Sequence, residues 1–407
     1  MTSKDKNKSE AEDFLEQLQK AEVVELHNVT IEGDEIELSL VPKLLEKLAP
    51  TLAPMIMQSV APSAFPSELE SLTFHASPAE YSGTIMKVPF GATKAEGGTR
   101  ERVLTLGGHK TLPFHSPEGP TPLVTFDVFD IKPSLPKPIK RMFEDVIESP
   151  AEWARKAVKD YKADAITIHL ISTDPYIKDT PAKEAVKTVE EVLQAVKVPL
   201  VIGGSGNTEK DPDVLAKCAE VAEGERCLLA SANLNFGDKG NLKIVEAAKK
   251  YNHNVLSWTS LDINDQKKLN AFLLNNGIER DQMVQDPTTA SLGYGYEYSF
   301  SIYERIKIAG LKGDHLLDFP CSAGVTNAWG AREAHRSEKK EPLWGPRDLR
   351  GVLWEATAAF ILSLVGADLF MMLHPTSVSL FKEMVQQMYQ SKTAITSPYS
   401  DWVTQEF

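Results

Sequence analysis

Cysteine is scarce in this chain: Cys218, Cys227 and Cys321 are the only ones in 407 residues. Three thiols cannot build a disulfide framework, and an iron–sulfur cluster normally takes four thiolates. Such scarcity fits a reducing cytoplasm. Positive charge is in deficit as well, with 44 Lys and Arg against 57 Asp and Glu, a net charge of −13. That argues against sequence-independent nucleic-acid binding, which depends on cationic patches.

Long apolar runs are missing too. The most apolar stretch, Ala356 to Leu373, is broken by Ser363, Gly366 and Asp368, short of the ~18 uninterrupted residues a membrane span needs. The opening MTSKDKNKSEAE has no apolar core and is not a signal peptide. No H-x-H or comparable cluster stands at zinc-ligand spacing. The glycine-rich GGSGN (203–207) is no Walker loop, because no Gly-Lys-Ser/Thr follows, and Glu209 stands where a G-x-G-x-x-G would end.

What is present is ordinary globular material, 42% hydrophobic and 25% charged, which rules out wholesale disorder. Four regions are expected: a charged tail at 1–20, an irregular extension at 21–118, a regular α/β part at 119–395 and a C-terminal tail at 396–407. In the extension, VELHNVTIEGDEIELSL alternates around Gly33-Asp34 and reads as a hairpin. Short apolar helices interrupted by prolines follow. RVLTLGGHKTLPF reads as a second hairpin around Gly107-Gly108.

From residue 121 a rhythm sets in. Eight strand-like runs recur: 123–130, 165–172, 198–204, 226–233, 253–260, 281–287, 316–324 and 368–375. Amphipathic helices between them carry start signals at Ser149-Pro150, Thr180-Pro181, Asp211-Pro212 and Asp262. Glu152 is placed to close a capping box with Ser149. Near-continuous apolar strands alternating with helices mean a parallel sheet covered by helices. Eight units predict a (β/α)8 TIM barrel with an N-terminal extension of hairpins and short helices, the second hairpin plugging the barrel's N-terminal end. A doubly wound open sheet is the alternative.

The working face of such a barrel is the C-terminal end of its strands. There the runs deliver Asp127 and Asp130; Ser172 to Asp174; Gly203 to Asn207; Ser231 and Asn233; Thr259 and Asp262; Gln285, Asp286, Thr288 and Thr289; Cys321 and Ser322; and His374. Apart from Lys132 no lysine ends a strand, which counts against a Schiff-base aldolase. The GGSGN glycines read either as turn geometry or as room for a flat ligand, with Ser205 and Asn207 donating to it. Tyr294 and Tyr296 are expected on the mouth, Tyr298 and Tyr303 in helix packing. The long excursion at 326–351 holds Trp329, Trp344, Arg332, Arg336, Arg347 and Arg350, the residue types interfaces favour. His169 sits inside the second strand and reads as a core residue. The cysteines read as packing residues.

PLVTFDVFD, PLVIGGSGN, GERCLLASA, QDPTTASLGYGYEYSFSIYERI, TNAWGAREA, LWGPRDLRG and GADLFMMLHP occur in this order. Together they resemble the delta subunit of the acetyl-CoA decarbonylase/synthase complex, the archaeal counterpart of the corrinoid iron–sulfur protein small subunit. The resemblance covers 82–390, and the N-terminal residues resemble the archaeal extension. It implies a barrel related to pterin methyltransferases that pairs with a gamma subunit carrying the iron–sulfur cluster and most of the corrinoid site. It also implies contact with the beta subunit and the larger complex, in the cytoplasm, within methanogenesis or the Wood–Ljungdahl pathway. A reduced corrinoid (cobamide) takes a methyl group from methyl-tetrahydropterin and passes it to the acetyl-CoA synthase cluster. The chain itself then needs no nucleophile and no acid–base residue, and lacking D-x-H-x-x-G it does not supply the usual histidine ligand to cobalt. With the corrinoid over the mouth, the cofactor-facing set is Gly203, Gly204, Ser205, Gly206, Asn207, Asn233, Asp286, Thr288, Tyr294 and His374. Two alternatives stay open: a stand-alone methyl-pterin:corrinoid methyltransferase, and a pterin-condensing barrel of the dihydropteroate synthase kind.

Overall fold

Alternation along the strands sorts side chains between two environments, and that sorting builds the architecture. This computed structural model describes residues 81–390. The expected tails at 1–20 and 396–407, the hairpin at Gly33-Asp34 and the proline-interrupted helices lie outside the described residues.

Two short strands come first, β1 (Val88–Phe90) and β2 (Leu104–Leu106), antiparallel to each other. Eight strands follow: β3 (Leu123–Phe129), β4 (Ala165–His169), β5 (Leu200–Gly203), β6 (Leu228–Asn233), β7 (Asn254–Trp258), β8 (Met283–Asp286), β9 (Ser322–Gly324) and β10 (Leu369–Met372). The helices are α1 (Lys137–Phe143), α2 (Pro150–Lys159), α3 (Ala182–Ala195), α4 (Asp211–Val221), α5 (Gly237–Tyr251), α6 (Ile263–Asn275), α7 (Tyr296–Leu311), α8 (Arg332–His335), α9 (Arg347–Leu364) and α10 (Pro375–Gln390).

The eight-stranded sheet runs β8-β7-β6-β5-β4-β3-β10-β9, and every neighbouring pair is parallel. Its two ends meet through one bridge, Gln285 to Cys321, so the sheet closes as the predicted (β/α)8 barrel rather than lying open. The Gln285 amide spans the seam, donating to the carbonyls of Leu317 and Phe319 at 2.9 Å each. This explains why the strand expected at 316–324 shrinks to Ser322–Gly324. Pro320 has no N–H to give, and the carbonyls before it are taken by a side chain.

Val124, Phe126, Val128, Ile166 and Ile168 face the helices. The alternate residues Thr125, Asp127, Thr167 and His169 face the barrel interior, where the hydroxyls of Thr125 and Thr167 meet at 2.8 Å. Helix starts follow local chemistry. Asp262 accepts from the N–H groups of Asn264 and Asp265 at 2.7 and 3.0 Å. Ser149 accepts from Glu152 N–H, but Glu152 turns to Arg155 instead of closing the expected box.

The N-terminal end is plugged, by a different hairpin from the one expected. Gly107 and Gly108 do turn, with φ of 77° and 92°. The arm before them, however, pairs back to β1, Phe90 opposite Leu104, which leaves no strand after the turn. Val88, Phe90 and Leu106 fill the barrel floor against Ala165, Val201, Leu228, Leu256, Val284 and Leu369. Burying each large apolar side chain there stabilises by about 1.5–3 kcal/mol.

One ionic cluster fastens plug to barrel. Asp368, just before β10, accepts from Lys307 Nζ at 2.6 Å, Cys321 N–H at 2.8 Å and Gly107 N–H at 3.0 Å. His109 Nε2 stands 3.2 Å away. Burial by itself would raise the Asp368 carboxyl, but Lys307 and His109 hold it well below the usual carboxylate range. Lys307 is only 1% exposed. Replacing Lys307 by Met strands a buried carboxylate, a loss of about 3–5 kcal/mol. We expect the urea midpoint of Lys307→Met to fall accordingly.

Candidate functional site

At the C-terminal ends of the strands lies a cavity of about 600 Å³. Asp127 and Phe129 come from β3, Thr167 and His169 from β4, Gly203 from β5, Asn233 from β6, Trp258 from β7 and Asp286 from β8. Thr326, Asn327 and Met371 complete the wall between β9 and β10. Lysine and arginine are absent from its described lining. Three carboxylates and one imidazole are therefore its only ionisable groups.

Asp286 is fully enclosed. It accepts from Ser322 hydroxyl at 2.7 Å and Thr288 N–H at 2.9 Å. Burial dominates these donors and pushes its pKa up to about 6. Thr288 is held at φ 78°, a conformation that costs a non-glycine residue about 1–3 kcal/mol. Its hydroxyl donates to Thr259 O at 2.6 Å, which fixes the loop after β8 against the cavity.

Asp127 is 1% exposed. Its Oδ2 accepts from the Thr326 hydroxyl, while its Oδ1 lies 3.1 Å from His169 Nε2. That pair is off the line of a hydrogen bond, so neither buried atom has an aligned partner. The His169 ring stacks on Phe129, centroids 5.1 Å apart. Burial disfavours its charged form, but the charge and contact of Asp127, with Asp130 behind, outweigh it and raise the pKa. The core role expected for His169 is corrected here: it shares strand parity with Thr167 and faces the cavity.

Gly203, Gly204, Gly206, Asn233, Asp286 and Thr288 of the expected set line this cavity together. Ser205, Asn207, Tyr294 and His374 do not. Asp211, in the first turn of α4, draws the GGSGN turn inward. It accepts from Ser205 N–H and hydroxyl at 2.9 and 3.0 Å and from Gly206 N–H at 2.8 Å. Burial still leaves its pKa raised. The Asn207 side chain accepts from the N–H groups of Glu209 and Lys210, 3.1 Å each. The Ser205 hydroxyl is thus consumed inside the turn, the Asn207 side-chain oxygen is held by its own backbone, and the glycine backbone forms the wall. Asp130 is spent likewise, on Ser172.

Tyr294 leans away from the cavity, its hydroxyl donating to Glu333 at 3.1 Å. His374 is turned aside because its ring stacks on Trp329 at 5.5 Å and its Nδ1 accepts from Thr376 N–H at 3.1 Å. Tyr296 is buried against Ala358 O and Tyr303 against Ser322 O, whereas Tyr298 is exposed rather than packed. In the excursion, Trp344 is covered by Arg332 and Arg350 at 5.7 and 5.6 Å, so much of that Trp–Arg set satisfies itself. The three cysteines are buried.

Among the described residues no group of three or more His, Cys, Asp or Glu side chains could hold a metal ion, and no helix is long and apolar enough to cross a membrane. The geometry defines a (β/α)8-barrel protein whose ligand cavity opens at the strand C-termini. The sequence profile of the CO dehydrogenase/acetyl-CoA synthase delta subunit matches residues 87–361. The acetyl-CoA decarbonylase/synthase complex subunit delta of Archaeoglobus fulgidus is 53% identical over 334 residues, 80% of this chain and 73% of that protein. Delta subunit 1 of Methanosarcina thermophila is 52% identical over 81% of this chain and 76% of its own. The Methanothermobacter thermautotrophicus delta subunit is 47% identical over 97% of both. The chain belongs to this delta-subunit family. Among solved structures, Xanthomonas albilineans dihydropteroate synthase with 4-aminobenzoic acid aligns over 72% of this chain and 97% of its own at 16% identity and a TM-score of 0.48.

Two outcomes follow from this geometry. A carboxyl raised from an unfolded value of ~3.9 to about 6 lets the folded state bind the extra proton, so stability is lost as pH rises through that window. Asp286→Asn should therefore unfold later than wild type at pH 8, by up to ~3 kcal/mol, and not at pH 3.5. In the glycine turn, a Cβ on Gly204 would stand 2.4 Å from Asp211. Thermal unfolding should show Gly204→Ala losing about 1–3 kcal/mol, against about 1 kcal/mol for Ser205→Ala.

Proposed function

We propose that the chain is a subunit of the acetyl-CoA decarbonylase/synthase complex that pairs with the gamma subunit to hold and shield a corrinoid. That corrinoid carries a methyl group between methyl-tetrahydropterin and the acetyl-CoA synthase cluster. The observation that carries the reading is the cavity at the mouth, together with the family to which the chain belongs. Its wall is glycine backbone, neutral side chains, three carboxylates and the His169 imidazole, with no lysine or arginine among the described lining.

The residues present fit a flat, uncharged ring face laid over the rim. Gly203, Gly204 and Gly206 offer backbone without side chains, and a Cβ on Gly206 would meet only open space. Tyr176, 95% exposed, and Ile177 stand on the loop after β4. A cavity of about 600 Å³ is of the size that takes a small, pterin-sized ligand, and in this reading the macrocycle would lie across its opening. His374, packed on Trp329, stands outside this lining.

Bound there, the corrinoid supplies the nucleophile for methyl transfer. This chain's share is to position the donor, cover one ring face and keep water out. The Asn233 and Asp286 side chains stand where the donor's polar edge would enter. A stand-alone methyltransferase is the competing reading. Co-expression with the gamma subunit should yield a tight 1:1 pair retaining corrinoid, while the chain alone binds cobamide weakly. Stoichiometric corrinoid on the isolated chain, with no association with gamma on size exclusion, would refute the proposal.

A further inference from the structure

We propose that His169, held by Asp127, hands a proton to the amine nitrogen that gives up its methyl group at the barrel mouth. This rests on the methyl-transfer reading above and adds an acid–base group where the sequence pattern called for none. The chemistry requires such a group. When the carbon–nitrogen bond of an N-methyl tertiary amine breaks, its electron pair stays on nitrogen. The methyl carbon forms its new bond with a pair supplied by the acceptor, a reduced corrinoid nucleophile. The nitrogen must take up a proton in the same event, or it leaves as a poor, strongly basic anion. The proton comes off the imidazolium, and solvent restores it afterwards.

Elimination among the cavity groups points to one donor. Asp211 is occupied by the glycine turn. Asp286 accepts from Ser322 and Thr288 on the far wall. Asp127 is tied on one oxygen by Thr326. His169 alone combines a transferable N–H with a fixed orientation. Phe129 stacks on the ring face, and Nε2 lies 3.1 Å from the Asp127 carboxylate. Nδ1 faces Gly203, where a Cβ would stand 3.4 Å away; the missing side chain keeps that nitrogen open to the cavity. The charged groups that face the ring are the carboxylates of Asp127 and, behind it, Asp130. No cation lines the described cavity, so nothing nearby opposes the imidazolium. Asp127 acts as a positioning residue: it holds the proton on the ring without touching the donor.

The test uses the full chain paired with its gamma subunit and loaded with corrinoid. Methyl transfer from methyl-tetrahydropterin is followed in single turnovers across pH for wild type, His169→Gln and Asp127→Asn. A ¹³C-histidine NMR titration of this chain alone reads the His169 midpoint independently of activity. The wild-type rate should fall as pH rises through that midpoint, which should lie above the ordinary ~6.5. His169→Gln should lose ~10²-fold or more in rate and its pH dependence, with donor affinity preserved. Asp127→Asn, which keeps the ring, should move both the NMR midpoint and the rate profile to lower pH. An active wild type whose rate and profile survive in His169→Gln overturns this inference and leaves the corrinoid-holding role standing; so does a His169 midpoint below 6.5. A wild-type pair that transfers no methyl group removes the methyl-transfer reading, and this inference with it.

Discussion

A single buried carboxylate, Asp368, joins the parts that make the mouth possible. It receives Lys307 from α7, the Cys321 amide at the entrance to β9 and the Gly107 amide at the end of β2. Three segments distant in sequence thus share one anion. An ion pair this deep gains little in net energy over an apolar substitute, yet it fixes which segments meet. The hairpin can seat on the floor only where β10 and β9 already stand side by side. With the floor filled by Phe90 and Leu106, the interior above it is left to polar groups.

That division runs up the barrel in layers. Apolar side chains occupy the floor, the Thr125–Thr167 hydroxyl pair lies above them, and Asp127, His169 and Asp286 ring the cavity. Each step upward exchanges packing stability for polar groups that are incompletely satisfied. The unaligned atoms of Asp127 and His169, the raised carboxyl of Asp286 and the strained Thr288 all sit in the same layer. Such costs concentrate where a protein meets its ligand.

All eight barrel strands were legible because parallel strands buried on both faces read as continuous apolar runs, and α2, α3, α4 and α6 open on the local signals Ser149-Pro150, Thr180-Pro181, Asp211-Pro212 and Asp262. Seams between distant segments were not legible. Gly107-Gly108 has the chemistry of a hairpin turn, but nothing local reveals that β2 pairs back to Val88–Phe90. At the mouth, strand position placed Asp127, Asn233 and Asp286 correctly. It failed for Ser205, whose hydroxyl is claimed by Asp211, for Asn207, whose side-chain oxygen caps its own turn, and for His374, which stacks on Trp329, 45 positions earlier in the chain. The place of His169 is readable in the alternation of β4, where it keeps step with Thr167, and Thr167 pairs across to Asp127. The delta-subunit resemblance fixed the family, since its motifs span the barrel, while saying nothing residue by residue about the cavity floor.

The barrel wall is not uniform around its circumference. Seven junctions are full ladders, but β8 and β9 touch at one bridge and lean on the Gln285 amide. The cylinder is therefore a split ring with a clasp. Small changes in girth are absorbed at that joint while the other strands keep their pairings, because backbone bonds with few neighbours open first. The excursion between β9 and β10 hangs beside this clasp, so a partner pressing on it acts on the one place where the opening can widen without tearing the sheet.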